Sequence, residues 1–153
     1  MADPFSIIAG VLGITTAVVQ ASKTILQLLV DTARGPEEVR SISHDIHAFQ
    51  TVVISLKTTI GLAEVQNAIA GDETLLKTIV NLDSPLRNCR VVLEELMVKL
   101  KQQHRLTPLN KRFRINTVSL RWSLFTKSEV RALQCRLEAG KATLSNALNA
   151  ISA

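Results

Sequence analysis

An apolar segment without a single Asp, Glu, Lys or Arg opens the chain and runs from Pro4 to Ser22. Asp3 precedes it as a candidate N-cap, and Pro4 suits the first helical turn, where proline's missing N–H needs no partner. Apolar residues continue beyond this run, so the pattern predicts a first helix that ends at Gly35 and Pro36. A secretory leader is the alternative, but the basic residues that precede the apolar part of such a leader are missing here.

Two further segments carry apolar residues at alternating spacings of three and four, the pattern of a helix with one buried face. One stripe comprises Val39, Ile42, Ile46, Phe49, Val53, Leu56 and Ile60. The other comprises Val130, Leu133, Leu137, Gly140, Leu144, Ala147 and Ile151, and its small members predict close approach by a neighbouring helix. Thr126 and Glu129 form a capping box before this last helix, with Phe125 and Val130 as a hydrophobic staple.

The middle of the chain predicts a third long helix, capped by Asp72. Its stripe comprises Leu75, Ile79, Leu82, Leu86, Cys89, Leu93, Leu96 and Leu100. Because the stripe keeps its phase across Pro85, we predict one kinked helix, with a fresh start capped by Ser84 as the alternative. The pattern weakens between Gly61 and Gly71, where it allows one short helical turn, and residues 101–125 form an irregular basic connection.

Four stripes of helical period and no credible strand predict an all-α fold. We expect a helical bundle of four main helices plus short helical segments, formed as a single domain over residues 1–153. A chain of this length buries roughly 68–70% of its unfolded surface, which is enough for a core without disulfides or metals.

Charge is distributed unevenly: residues 1–98 carry 7 basic and 11 acidic side chains, whereas residues 99–153 carry 11 and 2. Clustered basic charge is sufficient to attract anionic lipid headgroups. We predict lipid contact by Lys99, Lys101, Arg105, Lys111, Arg112, Arg114, Arg121 and Lys127. A plain solvated face is a second possibility. Nucleic acid is disfavoured as a partner, because only Phe113 and Trp122 are placed to stack on bases within this run.

Recognised catalytic motifs are missing from the sequence. The glycines are scattered and form no phosphate-binding loop, and no serine lies in a nucleophile elbow. His44 and His47, with Asp45 between them, have no third partner and are weak metal ligands. We therefore predict no enzyme activity, no cofactor and no metal. Cys89 and Cys135 are interpreted as reduced core residues of a cytosolic protein.

The uncharged part of the first helix, from Pro4 to Ser22, has two unlike sides on a helical wheel. Its apolar side and start carry the residues predicted to enter a membrane: Phe5, Ile7, Ile8, Val11, Leu12, Ile14, Val18 and Val19. The other side is small and polar, with Ser6, Ala9, Gly10, Gly13, Thr16, Ala17 and Gln20, where a soluble bundle usually has charges. Ala9, Gly13, Ala17 and Ala21 recur at every fourth position, the spacing of close helix packing in membranes. The alternative is a core helix with a flat packing face.

Four segments together resemble one family: ADPFSIIAGVLGITTAVVQASKTILQLL, PEEVRSISHDIHAFQTVVISL, NLDSPLRNCRVVLEELM and RWSLFTKSEVRALQCRLEAGKATLSNAL. Their order is similar to that in the HeLo-like N-terminal domain of fungal STAND (NOD-like receptor) proteins and amyloid-signalling cell-death proteins. The resemblance implies an α-helical bundle that executes regulated cell death. It assigns the membrane-active role to residues 4–22 and offers no catalytic residue.

From this resemblance we expect a membrane-targeting effector that oligomerises, exposes its N-terminal helix and permeabilises membranes. The partners implied are anionic lipids, further copies of the domain on activation, and an upstream receptor or amyloid-motif protein, but no nucleic acid. The implied location is the cytoplasm, with movement to the plasma membrane on activation. The competing hypothesis is a helical adaptor or oligomerisation domain of a signalling receptor without membrane activity.

Overall fold

Four long helices and two short ones make up the described part of the chain, which a computed structural model places over residues 3–30, 37–105 and 127–152. Side-chain surroundings are described for residues 3–29, 40–98 and 131–152. The helices are α1 (Pro4–Val30), α2 (Glu37–Gly61), α3 (Ala63–Ala70), α4 (Glu73–Val80), α5 (Asp83–Arg105) and α6 (Lys127–Ser152). The predicted all-α class, with four main helices plus short segments, is confirmed.

The long helices pack as a bundle in which α1 and α6 occupy opposite corners. The main contacts of α1 are with α2 and α5, and the main contacts of α6 are with the same two helices. The short helices α3 and α4 join α2 to α5 and also pack against α1. This arrangement leaves α1 with four neighbouring helices, whereas α6 contacts α2, α5 and, less extensively, α4.

The predicted stripe of α2 forms the centre of the core. Ile42, Ile46, Phe49, Val53, Leu56 and Ile60 are all at most 1% exposed. Burying one such side chain contributes about 1.5–3 kcal/mol relative to leaving it in water. Val39, the remaining member of the stripe, lies outside the residues whose side chains are described.

The third predicted helix is two helices, so the expectation of one kinked helix was wrong. Asp72 does cap α4, because its carboxylate accepts hydrogen bonds from the N–H groups of Thr74 (2.8 Å) and Leu75 (3.3 Å). Helix α4 ends at Val80, and α5 begins at Asp83, one residue before the alternative cap Ser84. Pro85 lies in the first turn of α5, where its missing N–H costs nothing, so it does not cause the break.

The weak region after α2 holds a complete short helix, α3, which is longer than the single turn predicted. The side-chain amide of Gln66 donates to the carbonyl oxygen of Ile60 at 3.0 Å. This bond satisfies a carbonyl near the end of α2 that has no partner within its own helix. The sharp bend between α2 and α3 therefore leaves that carbonyl paired.

The last helix approaches its neighbours closely at Gly140, as predicted. A Cβ atom added there would lie 2.6 Å from Sγ of Cys89 and 3.7 Å from Cε2 of Phe49. Leu137, Leu144, Ala147 and Ile151 are buried on the same face, whereas Leu133 is only partly buried. Lys127 begins α6, so the position of Thr126 agrees with a cap, but Thr126, Phe125 and the side chain of Val130 lie outside the described residues.

A polar contact joins α2 to α6. The side-chain amide of Gln134 donates to Oγ of Ser41 at 2.8 Å and to Oδ2 of Asp45 at 3.0 Å. Gly140 faces Phe49 further along both helices, so α2 and α6 run in the same direction. This pair is therefore fixed in register by directional bonds as well as by apolar packing.

Candidate functional site

The site that the sequence singles out is α1, and its start is fixed by Asp3. The carboxylate of Asp3 accepts a hydrogen bond from the N–H of Phe5 at 3.3 Å, and its carbonyl accepts one from Ile7 at 3.1 Å. The predicted N-cap is thereby confirmed. Pro4 follows as the first helical residue, as expected for a residue without an N–H.

Most residues predicted to enter a membrane lie in or against the core of the bundle. Ile8, Val11, Ile14 and Val18 are buried, and Ile7, Leu12 and Val19 are partly buried against the same cluster. Phe5 differs from them, because it is 47% exposed. In this arrangement the apolar side of α1 faces its own bundle, so membrane insertion requires α1 to leave the other helices.

The opposite side of α1 faces outwards and carries no charge over its first five turns. Ser6, Ala9, Gly10, Gly13 and Gln20 are exposed, while Thr16 and Ala17 are half-buried. A Cβ atom at Gly10 or Gly13 would meet nothing within 4 Å. Of the four small residues predicted to pack helices, only Ala21 is buried, so inside this bundle the stripe serves no helix contact at Ala9 or Gly13.

Four hydroxyl side chains of α1 donate hydrogen bonds to carbonyl oxygens of α1 itself. The hydroxyls of Thr15 and Thr16 both donate to the carbonyl of Leu12 at 2.8 Å. The hydroxyl of Ser22 donates to the carbonyl oxygen of Val19 at 2.8 Å, and the hydroxyl of Thr24 donates to that of Gln20 at 3.0 Å. Thr15 and Ser22 are 0% exposed, so the sequence analysis missed two polar core positions. The signal that could have found them is the capacity of Ser and Thr to bond a carbonyl one turn back.

Apolar contacts hold the Pro4–Leu28 part of α1 against the neighbouring helices. From Pro4 to Leu28, no side chain makes a hydrogen bond or ion pair to another helix in the part of the chain that the structure describes. The α2–α6 pair, by contrast, has the directional bonds of Gln134. Within the described residues, the Pro4–Leu28 part of α1 is therefore attached by burial, and none of its described side-chain hydrogen bonds would break on separation. The described side-chain bonds of α5 also lie within that helix.

One described helix, over Pro4–Leu29, is long and apolar enough to cross a bilayer by length and composition. The same test is passed by the core helix of a soluble protein and by a signal sequence. The pair Arg40–Gly61 and Ala63–Ala70 passes only as one broken span bent by 75°. Length and hydropathy thus permit insertion of α1 without requiring it.

The predicted lipid-contact residues fall largely beyond the described structure. Lys111, Arg112, Arg114 and Arg121 lie outside the described residues. Lys99, Lys101 and Arg105 belong to the end of α5, and Lys127 begins α6, but their side chains are not among those described. Arg131, one turn into α6, is exposed.

The two cysteines have different surroundings, which corrects one prediction. Both are free thiols, and Cys89 lies in the core as expected, but Cys135 is exposed. Cys135 lies outside the apolar stripe of α6, so its helical position turns it away from the core. Burial raises the pKa of the Cys89 thiol from 9.0 to about 11. The buried neutral thiol of Cys89 therefore makes its full contribution to the free energy of unfolding below about pH 9, and this contribution is lost as the pH rises towards 11.

We expect a thiol reagent at neutral pH to modify Cys135 quickly and Cys89 much more slowly in the native protein. Burial restricts access to Cys89, and the raised pKa lowers its thiolate fraction about a hundredfold relative to the unfolded chain. Mass spectrometry of native and denatured protein after timed labelling provides the measurement. Equal labelling rates for the two native thiols would contradict the burial of Cys89, and a native disulfide would contradict the cytosolic assignment.

Metal-ligand geometry is lacking among the residues described. His44 and His47 are exposed, and Asp45 accepts the bond from Gln134. Those ranges contain no group of three or more His, Cys, Asp or Glu side chains that could hold an ion. The geometry offers no ligand set around the histidines.

Fold and site together define an all-α bundle domain whose N-terminal helix is uncharged from Pro4 to Ser22. From Pro4 to Leu28, no described side chain of this helix bonds to another helix. The chain belongs to the family described as pigment biosynthesis cluster protein PigL N-terminal, which matches residues 2–153. No curated protein and no solved structure matches the chain.

Proposed function

We propose that this domain is a membrane-targeting effector related to HeLo-like domains: it oligomerises, releases α1 and permeabilises membranes during regulated cell death. The observation that carries the proposal is the burial of the apolar side of α1, together with the absence of any described side-chain bond to another helix from Pro4 to Leu28. Its partners are then anionic lipids, further copies of the domain, and an upstream receptor or amyloid-motif protein. The proposal includes no enzyme activity, no cofactor and no nucleic acid.

A released α1 has very different free energies in water and in a bilayer. In water, each large side chain that leaves the core costs about 1.5–3 kcal/mol, so a free α1 is strongly disfavoured. In a bilayer the same side chains remain in an apolar medium, and no charge between Pro4 and Ser22 has to be desolvated. The hydroxyls of Thr15, Thr16 and Ser22 keep their intrahelical bonds. Release is therefore favourable only beside a membrane or an assembled partner.

The basic segment supplies the attraction that brings the domain to that membrane. Each Lys or Arg near an anionic leaflet contributes about 1 kcal/mol. Lys111, Arg112 and Arg114 are the densest part of this segment. Binding at the cytoplasmic leaflet would then precede insertion, which fits a protein that moves from the cytoplasm to the plasma membrane.

The second candidate is an adaptor or oligomerisation domain without membrane activity, and the outer face of α5 favours it. Val91 and Val98 are 50% and 51% exposed and lie seven residues apart, hence on the same face of the helix. Exposed apolar side chains at this spacing suit contact with a partner helix. In this alternative α1 stays in the core during signalling.

Dye release from vesicles separates the two candidates. The purified domain, alone and fused to a chemically induced dimeriser, is added to dye-filled vesicles of anionic or zwitterionic lipid. The membrane effector should release dye from anionic vesicles, and high salt should suppress this by screening. Dimerisation that occurs without dye release in either lipid would overturn the proposal and support the adaptor.

A further inference from the structure

A groove of about 400 Å³ lies between α5 and α6, away from the helix proposed to insert. The two helices meet closely where Gly140 faces Cys89. Apolar lining comes from Cys89, Val92 and Leu137, whereas Asn88 and Thr143 add polar groups. Binding sites for small molecules are generally about 300–1,000 Å³ and combine an apolar lining with a few polar groups, so this groove has the size and character of such a site.

Charge complementarity indicates which kind of molecule would fit. Arg136 is the one charged residue of the lining. It has no ion-pair partner among the described side chains, in which the ion pairs are Arg87–Asp83 and Arg90–Glu94. A guanidinium presents paired N–H donors that match a carboxylate or sulfonate, and such charge-assisted bonds are stronger than neutral ones. The groove thus places an exposed guanidinium, without an ion-pair partner among the described side chains, beside a lining that is partly apolar.

We propose that the α5–α6 groove binds a small amphiphilic organic anion, with its carboxylate or sulfonate on Arg136 and its apolar body against Val92 and Leu137. At the polar side, the side-chain amide of Asn88 can donate to the ligand, and the Thr143 hydroxyl, which donates to the carbonyl of Ala139, can accept a hydrogen bond from it. A bound molecule would contact both α5 and α6 and so stabilise the bundle. This site is independent of membrane activity.

Anilinonaphthalene sulfonate is a suitable probe, because it joins a sulfonate to an aromatic body and fluoresces in apolar surroundings. The wild-type protein should bind it saturably, and Arg136→Gln should weaken binding about tenfold or more, the scale of a lost charge-assisted hydrogen bond. Arg131→Gln is the matched control, since Arg131 is exposed on the same helix but does not line the groove. Equal affinity in the two variants would overturn the proposal.

A second pair of variants tests the volume of the groove. Thr143→Phe should fill it and weaken probe binding, whereas Thr51→Phe should not. The two threonines are matched, because both are exposed and both donate a hydroxyl bond of 3.0 Å to the carbonyl four residues earlier. Melting temperatures are measured for all variants, so that weaker binding is attributed to the groove only where the fold is retained. Undiminished binding by a folded Thr143→Phe protein would count against the assignment.

The two cysteines provide an internal check in the unmodified protein. Cys89 lines the groove, and Cys135 does not. Saturating probe should slow modification of Cys89 and leave that of Cys135 unchanged. If the probe leaves the modification rate of Cys89 unchanged, it is bound elsewhere and the proposed site is wrong.

Discussion

Replacing Gly13 with lysine is expected to abolish dye release from anionic vesicles while the melting temperature stays the same or rises slightly. Gly13 is exposed, and a Cβ atom there meets nothing within 4 Å, so the folded bundle accepts the side chain. Lysine also favours a helix over glycine by somewhat less than about 1 kcal/mol. In a bilayer the same lysine would cost on the order of 2.5–3.5 kcal/mol per inserted helix, roughly a hundredfold in each insertion equilibrium.

The matched control is Gly13→Ala, which shares the gain in helix propensity but adds no charge. Vesicles treated with Gly13→Ala should release dye as they do with the wild type. Thermal melting, vesicle co-sedimentation and dye release on the same preparations complete the test. Gly13 is a better position than Thr16, because Thr16 is half-buried and its hydroxyl bonds to Leu12. A Gly13→Lys protein that releases dye as the wild type does would show that this segment does not insert.

Replacing Phe49 with alanine is expected to remove about 3–5 kcal/mol from the free energy of unfolding. Phe49 is fully buried on α2 and lies beside Gly140 of α6, so truncation would leave a cavity between these two helices. A domain of this size is stable by only about 5–15 kcal/mol, so the loss is a large fraction of the total. Urea unfolding monitored by circular dichroism measures it.

Ile54→Ala is the control, because Ile54 lies on the same helix but is 44% exposed. The loss in free energy of unfolding for this variant should stay near about 0.5 kcal/mol, the usual size of a surface substitution. Similar losses for the two variants would mean that the packing of α2 differs from the arrangement described. The comparison separates core burial from the helix propensity of alanine, which both variants share.

Most of the fold could be predicted because burial follows helical spacing directly. The stripe of α2 is buried at every position described, and Asp3 and Asp72 cap the helices that follow them. The break before α5 could not be predicted in the same way. Leu82 lies in the turn between two helices and is nevertheless buried, so the apolar pattern continues in phase across a point where the backbone is not helical.

The sequence correctly predicted that α1 has an apolar side and a small-residue side, but it did not predict the buried polar positions of this helix. The wheel separates apolar residues from small ones, and that division agrees with burial at Ile8 and Gly13. Thr15 and Ser22 are buried because their hydroxyls bond the helix backbone, a local arrangement that spacing does not encode. The α5–α6 groove was equally beyond prediction, since it depends on how two helices distant in sequence are placed together.

Because apolar burial holds α1 from Pro4 to Leu28, the strength of its attachment depends more on temperature than that of the α2–α6 pair. Hydrophobic burial weakens on cooling, because its driving force near room temperature is entropic and carries a large heat-capacity change. The hydrogen bonds of Gln134 between α2 and α6 do not share that dependence. Cooling therefore weakens the attachment of Pro4–Leu28 more than that of the α2–α6 pair, which the hydrogen bonds of Gln134 still hold.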